Sequence, residues 1–145
     1  GCPFMPEHPE IFFNISHSGD IAAASIGDMP CGVDVEKIRD VKIDVARKYF
    51  NIEEKAVSKS SEDLLRIWTI KEATVKAAGR GIAGNLDKLS VIPQKGKTEF
   101  LKKTYYFTQH GRYDYMISVS SLCDEIASPR EADLCRYLNT MEERL

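Results

Sequence analysis

The sequence predicts an α+β fold in which antiparallel strands pack against one long helix. Its 145 residues, of which 43% are hydrophobic and 29% charged, suffice for a single domain with a buried core. Strand-like alternation of apolar and polar residues recurs before and after one long helical pattern. The links between successive strands are mostly too short for the crossover helices that parallel strands need, so we expect antiparallel strands and segregated helices.

Three strands are predicted before the first helical segment, at residues 11–15, 21–26 and 31–36. Residues 1–10 contain three of the six prolines and should form an irregular first segment. Turn-forming residues fill positions 16–20 and 27–30. The short turn at 27–30 predicts that the second and third strands form a hairpin.

The long helix is predicted at residues 62–78. Ser60 stands three residues before Asp63, which is the spacing of a capping box, and Gly79 is suited to end the helix in a left-handed conformation. Trp68 should anchor the helix in the core and take no part in chemistry. The stripe that faces the core consists of Leu64, Ile67, Trp68 and Val75, with the small Ala73 beside them.

The remaining segments alternate between helical and strand-like patterns. Residues 45–58 are predicted to be helical, in two pieces that break near Asn51. Further strands are predicted at 89–92, 99–101, 104–108 and 113–120. Pro129 should open a final amphipathic helix, with its inward residues at Ala132, Leu134, Cys135 and Leu138.

Charge and cysteine content argue against several classes of function. Lys and Arg number 20 and Asp and Glu number 22, so the net charge of −2 does not indicate a nucleic-acid or membrane-surface partner. There is no run of about eighteen apolar residues of the kind that spans a membrane. The four cysteines form no Cys-x-x-Cys pair and the three histidines lie far apart, so no zinc site is expected. Reduced thiols and the lack of a leader pattern predict a cytoplasmic protein.

Two short stretches contain the residues best suited to chemistry. Residues 32–36 read Gly-Val-Asp-Val-Glu, and on a strand Asp34 and Glu36 point to the same face. Residues 68–76 read Trp-Thr-Ile-Lys-Glu-Ala-Thr-Val-Lys, and on a helix Glu72 and Lys76 lie one turn apart. Three carboxylates with a lysine beside them would form a site for a hard cation that also receives a phosphate.

Each stretch also has a plainer interpretation. Asp34 and Glu36 could be the solvated face of an edge strand, and Glu72 and Lys76 an ordinary surface pair on a helix. Residues 79–84 match the dinucleotide-binding pattern G-x-G-x-x-G. That pattern binds a pyrophosphate only between a strand and the start of a helix, whereas here it follows a helix, so a helix stop and a loop are expected.

Together the motifs resemble those of the Sfp-type 4′-phosphopantetheinyl transferases. That family has a Phe-Asn-x-Ser-His-Ser segment, a Gly-x-Asp-x-Glu strand and a Trp-Thr/Ser-x-Lys-Glu-Ala/Ser-x-x-Lys helix, which stand here in order at residues 13–18, 32–36 and 68–76. A lesser element, Phe50-x-x-x-Glu54, also fits. The resemblance runs from about residue 13 to 92. It implies a 4′-phosphopantetheinyl transferase-like fold with about one and a fraction of the family's two repeats, without the first half that holds much of the nucleotide.

The resemblance also implies an activity. The expected reaction is the Mg²⁺-dependent transfer of the 4′-phosphopantetheine group from coenzyme A to a serine of an acyl or peptidyl carrier protein, with release of 3′,5′-ADP. This is holo-acyl-carrier-protein synthase activity, and it could serve fatty-acid or secondary-metabolite synthesis. A homo-oligomer could complete the coenzyme A cleft. The alternatives are a non-catalytic module that binds coenzyme A or carrier protein, and a structural domain whose acidic motifs are surface features.

Family analogy assigns roles to individual residues. Asp34, Glu36 and Glu72 would hold Mg²⁺, and Glu72 would also be the general base, directly or through a metal-bound water. Lys76 would neutralise a phosphate. The further coenzyme A contacts expected by analogy are Lys71, Ser16 and His17, with Arg80 as a weaker candidate. The basic residues Arg47, Lys48, Lys55 and Lys59 could contact an acidic carrier protein or form a solvated helix face.

Overall fold

Six strands and two α-helices follow one another in a computed structural model that describes residues 3–39 and 48–133. Their order is β1 (Phe12–Ser18), β2 (Ile21–Gly27), β3 (Cys31–Lys37), α1 (Ile52–Val57), α2 (Ser61–Ala77), β4 (Lys97–Phe100), β5 (Lys103–Arg112) and β6 (Tyr115–Ser121). Short 3₁₀ turns at Leu86–Lys88 and Pro93–Lys95 link α2 to β4. No helix in this part of the chain is long and apolar enough to cross a membrane. The α+β class predicted from the sequence is confirmed.

The strands form a four-stranded antiparallel sheet of order β3–β6–β5–β4 and a separate hairpin of β1 and β2. The predicted hairpin of the second and third strands is therefore wrong. β1 continues through residues 16–18, which were predicted to be a turn, so only Gly19 and Asp20 connect it to β2. Gly19 has a φ of 54°, the positive value that two-residue hairpin turns require. β3 pairs instead with β6, more than eighty residues later in the chain, in a register that places Asp34 opposite Ser118.

Helix α2 packs its apolar stripe against the four-stranded sheet. Leu64, Ile67 and Val75 are buried as predicted. The helix begins with the predicted capping box of Ser60 and Asp63, and Gly79 follows it with a φ of 66°. The core that covers this stripe includes Phe50, Leu86, Leu89, Val91, Phe100, Tyr105 and Phe107.

Trp68 lies at the rim of this core and not at its centre. Its half-buried indole meets the ring of Tyr49 edge to face, with 5.9 Å between ring centroids. This contact fixes α2 against the segment before α1, in agreement with the anchoring role predicted for Trp68.

Three predicted elements differ from the structure. Residues 89–92 form no strand, although Leu89 and Val91 are buried, because the amide of Val91 donates to Glu54 Oε1 (2.7 Å) and not to a neighbouring strand. The helix predicted from Pro129 does not begin there, since residues 129–133 are irregular; its remaining residues lie outside the described part of the chain. The second of the two helical pieces predicted for residues 45–58 is confirmed as α1, which Asn51 caps, whereas residues 48–50 are not helical. Residues 45–47 lie outside the described ranges.

Candidate active site

A glycine allows α2 to approach β3 closely. A Cβ atom at Gly32 would overlap the carbonyl oxygen of Ala73 and lie 2.6 Å from the amide nitrogen of Ala77. Because side chains alternate along a strand, Gly32 shares its face with Asp34 and Glu36. The close approach therefore brings these two carboxylates towards the last turns of α2, where Glu72 and Lys76 are located.

Short polar side chains fix α2 on the neighbouring strand β6. Thr69 Oγ1 lies 2.7 Å from Ser118 Oγ, and Thr74 Oγ1 donates to Ser120 Oγ at 3.0 Å. All four side chains are buried, so these hydrogen bonds set the rotation of the helix on the sheet. Sequence reasoning missed this contact; its only signal was small polar residues at alternate positions of β6.

Lys76 forms an ion pair with Asp34 across this close contact. Its Nζ lies 2.6 Å from Asp34 Oδ1 and also donates to Val33 O (3.1 Å) and Ser16 Oγ (3.3 Å). The Asp34 side chain is only 4% exposed, whereas that of Lys76 is 20% exposed. The structure thus joins the two sequence motifs that suggested the site.

The second oxygen of Asp34 receives no hydrogen bond from an amide, hydroxyl or ammonium group. Among the described residues, Asp34 Oδ2 is buried without such a donor, and the carboxyl groups of Asp34 and Glu72 lie close enough to share a hydrogen bond when Glu72 is protonated. Burial raises the pKa of Asp34, while the charge of Lys76 and the hydroxyl of Ser16 act in the opposite direction. A buried carboxylate oxygen without such a donor is suited to a proton or a cation.

Glu72 completes the group of carboxyl side chains. The pKa of Glu72 is raised to about 7, mainly by burial; the negative charges of Asp34 and Glu36 and a hydrogen bond with Asp34 act in the same direction, and the charge of Lys76 opposes them. The structure therefore brings Asp34, Glu36, Glu72 and Lys76 close enough together to influence one another electrostatically. We call these four residues the acidic cluster.

The acidic cluster fits a hard divalent cation in its chemistry. Three carboxylates offer only oxygen ligands, which Mg²⁺ prefers, and Asp34 Oδ2 is buried without a hydrogen bond from an amide, hydroxyl or ammonium group of the described residues. Across residues 3–39 and 48–133, however, no three His, Cys, Asp or Glu side chains are arranged to hold a metal ion. The ammonium of Lys76 instead pairs with Asp34.

Strand β1 lines the edge of β3 through its side chains. Val33 N donates to Asn14 Oδ1 (3.3 Å), Val35 N to Ser16 Oγ (3.3 Å) and Lys37 N to Ser18 Oγ (3.1 Å). The two serines also donate to carboxylates, Ser16 to Asp34 Oδ1 (3.0 Å) and Ser18 to Glu36 Oε2 (3.2 Å). Sequence reasoning missed this serine–asparagine ladder, although the period of two in residues 14, 16 and 18 was a signal for it.

His17 points away from the acidic cluster. It lies on the opposite face of β1 from Ser16 and Ser18, and its side chain is exposed. Arg80 is also exposed, in the loop that follows Gly79. Gly79–Gly84 lies between α2 and the 3₁₀ turn Leu86–Lys88, so it is not the strand-to-helix connection of a dinucleotide site.

The structure does not bring Lys71 to the acidic cluster. Its buried ammonium pairs with Glu54 Oε2 (2.8 Å) and donates to the carbonyl oxygens of Tyr49 (2.8 Å) and Leu86 (2.9 Å). Its three donors are thus used inside the protein, and burial lowers the pKa of Lys71. In this conformation Lys71 has no N–H donor left for the phosphate contact that was predicted for it.

Comparison with known proteins identifies the superfamily of the chain. The sequence model described as "4′-phosphopantetheinyl transferase superfamily" matches residues 30–123, which include the third strand, both helices and the rest of the sheet. A 4′-phosphopantetheinyl transferase of Bacillus subtilis is 33% identical over 97 residues, which are 63% of this chain and 43% of that protein.

Two further relatives come from other bacteria. The 4′-phosphopantetheinyl transferase gsp of Aneurinibacillus migulanus is 34% identical over 88 residues, 57% of this chain and 36% of the relative. The 4′-phosphopantetheinyl transferase AcpT of Salmonella typhi is 33% identical over 88 residues, 54% of this chain and 46% of the relative. The chain thus spans less than half the length of these curated relatives. Because the superfamily model covers more than half of the chain, the protein belongs to the 4′-phosphopantetheinyl transferase superfamily.

Proposed function

We propose that the chain provides the metal-binding wall of a 4′-phosphopantetheinyl transferase that moves the phosphopantetheine group of coenzyme A to a carrier-protein serine. The observation that supports this most strongly is the acidic cluster, in which the buried carboxyl of Asp34 lies beside both Glu72 and Lys76. Superfamily membership supports the reaction class.

In this proposal Asp34, Glu36 and Glu72 would hold Mg²⁺, which would supply positive charge next to the pyrophosphate of coenzyme A. Lys76, partly exposed beside Asp34, neutralises a phosphate oxygen. The serine oxygen of the carrier attacks phosphorus, the bond to the leaving phosphate of 3′,5′-ADP breaks, and the serine proton leaves. A carboxylate bound to Mg²⁺ is a weaker base than in the metal-free chain, where the pKa of Glu72 is raised to about 7, so Glu72 would accept that proton through an oxygen that does not bind the ion or through a metal-bound water.

The partners follow from the same proposal. A coenzyme A cleft needs a second wall, for which we propose a second copy of this chain. The exposed apolar face of the β1–β2 hairpin, where Ile15 is 60% and Ile26 73% exposed, supports such an association. The exposed lysines Lys48, Lys55 and Lys59 would contact an acidic carrier protein in the cytoplasm; Arg47, predicted with them, lies outside the described residues.

The test is an incubation of this chain with apo carrier protein, coenzyme A and Mg²⁺, followed by intact-protein mass spectrometry. We expect the carrier to gain one phosphopantetheine group and 3′,5′-ADP to be released. Asp34→Asn should lower the rate by more than about 100-fold, since even residues that only support a metal ligand are worth 10- to 100-fold. Asp114→Asn is the matched control, because Asp114 is an exposed partner of Lys37 outside the cluster.

A second candidate is a binding module without transferase activity. It is favoured by the observation that, among the described residues, no three His, Cys, Asp or Glu side chains are arranged to hold a metal ion. The test is made at chain concentrations where two copies associate. If the chain then binds coenzyme A or carrier protein but the carrier gains no mass, the binding module is supported and the enzyme is contradicted.

A further inference from the structure

The polar side chains of β1 do more than cover the edge of β3. β3 is an edge strand, and its main-chain ladder is formed with β6 alone. On its other edge, three alternate amides are satisfied by the side chains of Asn14, Ser16 and Ser18. Two of these three side chains also donate to a carboxylate of the acidic cluster.

The hydroxyl of Ser16 has no hydrogen-bonding capacity left. A serine hydroxyl can donate once and accept twice. Ser16 donates to Asp34 Oδ1 and accepts from the amide of Val35 and the ammonium of Lys76. Its residue is buried, at 9% exposure. A phosphate could bind this hydroxyl only by breaking one of these bonds.

Ser18 repeats the arrangement one pleat further along. It accepts from the amide of Lys37 and donates to Glu36 Oε2. The oxygen of each serine accepts a hydrogen bond from an amide of β3, so its hydroxyl hydrogen is free to point at the neighbouring carboxylate. Ser16 thus donates to Asp34 and Ser18 to Glu36. Both carboxylates thus have their orientation set from outside the four-stranded sheet.

We propose that Ser16 and Ser18 are positioning residues that hold the carboxylates of Asp34 and Glu36 in the orientation that binds a divalent cation. The inference rests on the proposed function and deepens it. This positioning role differs from the phosphate contact that family resemblance implies for Ser16. His17 lies on the other face of β1 and is the residue of this motif that faces outward.

The test measures binding of Mn²⁺ alone, followed by competition with Mg²⁺, from the paramagnetic resonance signal of the free ion and without coenzyme A. Ser16→Ala and Ser18→Ala should each weaken Mn²⁺ binding by about tenfold or more, as lost support of a metal ligand does. Asn14→Ala is the matched control, since Asn14 makes the same kind of bond to β3 but donates to no carboxylate among the contacts described. It should lower thermal stability while changing Mn²⁺ affinity less than about twofold. Ser16→Thr, which keeps the hydroxyl, should restore affinity.

Each other outcome has a distinct meaning. If the serine variants bind Mn²⁺ as tightly as Asn14→Ala does, the positioning role is wrong while the metal site stands. If the unmodified chain binds no Mn²⁺, the metal site and the inference that rests on it both fail. Ser18 is only partly buried, so Ser18→Ala keeps the test decisive if Ser16→Ala does not fold.

Discussion

At the scale of single residues, the fold holds the carboxyl groups of the acidic cluster close together, which is electrostatically unfavourable when they are ionised. Asp34 is buried beside Lys76, and Glu72 is surrounded by other negative charges. Like charges in a partly buried place favour a bound proton or a cation, so the cluster should respond strongly to both pH and Mg²⁺.

The first prediction concerns the pH dependence of stability. Because the pKa of Glu72 is raised to about 7 in the folded, metal-free protein, its contribution to stability is full below its ordinary value of 4.5. That contribution is lost progressively from about pH 4.5 and is gone once the pH has passed 7, because the unfolded chain releases the proton first while the folded chain still retains it. The melting temperature should therefore fall between about pH 5 and pH 7 by more than it does for Glu72→Gln, and the difference should stay constant above about pH 8.

Mg²⁺ should reverse this loss. We expect the rise in melting temperature caused by Mg²⁺ to be larger at pH 8 than at pH 6, since the metal requires ionised ligands. An equal rise at both pH values, or an unchanged pH profile in Glu72→Gln, would show that Glu72 does not titrate in this range.

The second prediction concerns Lys71. Lys71→Ala leaves the carboxylate of Glu54 buried without its charge partner, which should cost about 3 kcal/mol or more of unfolding free energy in urea denaturation. Lys88→Ala, at an exposed position, should change the unfolding free energy by less than about 0.5 kcal/mol. Folded Lys71→Ala protein should bind coenzyme A as tightly as the unmodified chain does. If it folds but has lost coenzyme A binding, the predicted contact between Lys71 and a phosphate is supported after all.

Sequence reasoning found the residues of the acidic cluster but misplaced Lys71 for a geometric reason. Neighbouring residues on a helix point about 100° apart, so Lys71 does not follow Glu72 to the site. It stands seven residues after Leu64 and four after Ile67, on the buried stripe, and this spacing was the missed signal. The serines of β1 could not be placed, because their partners on β3 depend on a tertiary contact.

At the scale of elements, the site depends on the distance between β3 and α2. Gly32 permits that distance, and the hydrogen-bonded pairs of Thr69 with Ser118 and Thr74 with Ser120 maintain it. Two carboxylates on a strand and a Glu–Lys pair on a helix meet only because no side chain separates the two elements at residue 32.

The third prediction follows from this contact. Gly32→Ala should push α2 away from β3, lower the unfolding free energy by about 1–3 kcal/mol and abolish Mn²⁺ binding. Gly81→Ala is the control, since a Cβ atom there meets nothing within 4 Å and the position is exposed. Full Mn²⁺ affinity in a folded Gly32→Ala variant would show that the helix distance does not limit the site.

At the scale of the whole molecule, the chain presents the acidic cluster and an exposed apolar hairpin face. Ile15 and Ile26 share that face with Phe13, two exposed alanines and the exposed His17 at its end, because residues opposite one another in an antiparallel pair lie on the same side. The α+β class and most strands were predictable from periodicity. The pairing of β3 with β6 was not, because the strands are far apart in sequence and local turn patterns favoured a hairpin with β2.

The fourth prediction concerns association through this face. In sedimentation velocity experiments the chain should form dimers or larger assemblies as its concentration rises, and Ile26→Glu should shift it to the monomer by placing a charge on the apolar surface. Ile52→Glu, on α1 at 86% exposure, should leave association unchanged. A chain that stays monomeric at all concentrations, with or without coenzyme A, would contradict the proposed second copy.

The most direct measurement is the anomalous diffraction of crystals of the full chain soaked in Mn²⁺. We predict a single strong peak at the acidic cluster, bonded to carboxylate oxygens of Asp34, Glu36 and Glu72, with Lys76 Nζ displaced from Asp34 Oδ1. A map without a peak at these carboxylates, in which Lys76 still pairs with Asp34, would contradict the claim that the three carboxylates form a metal site.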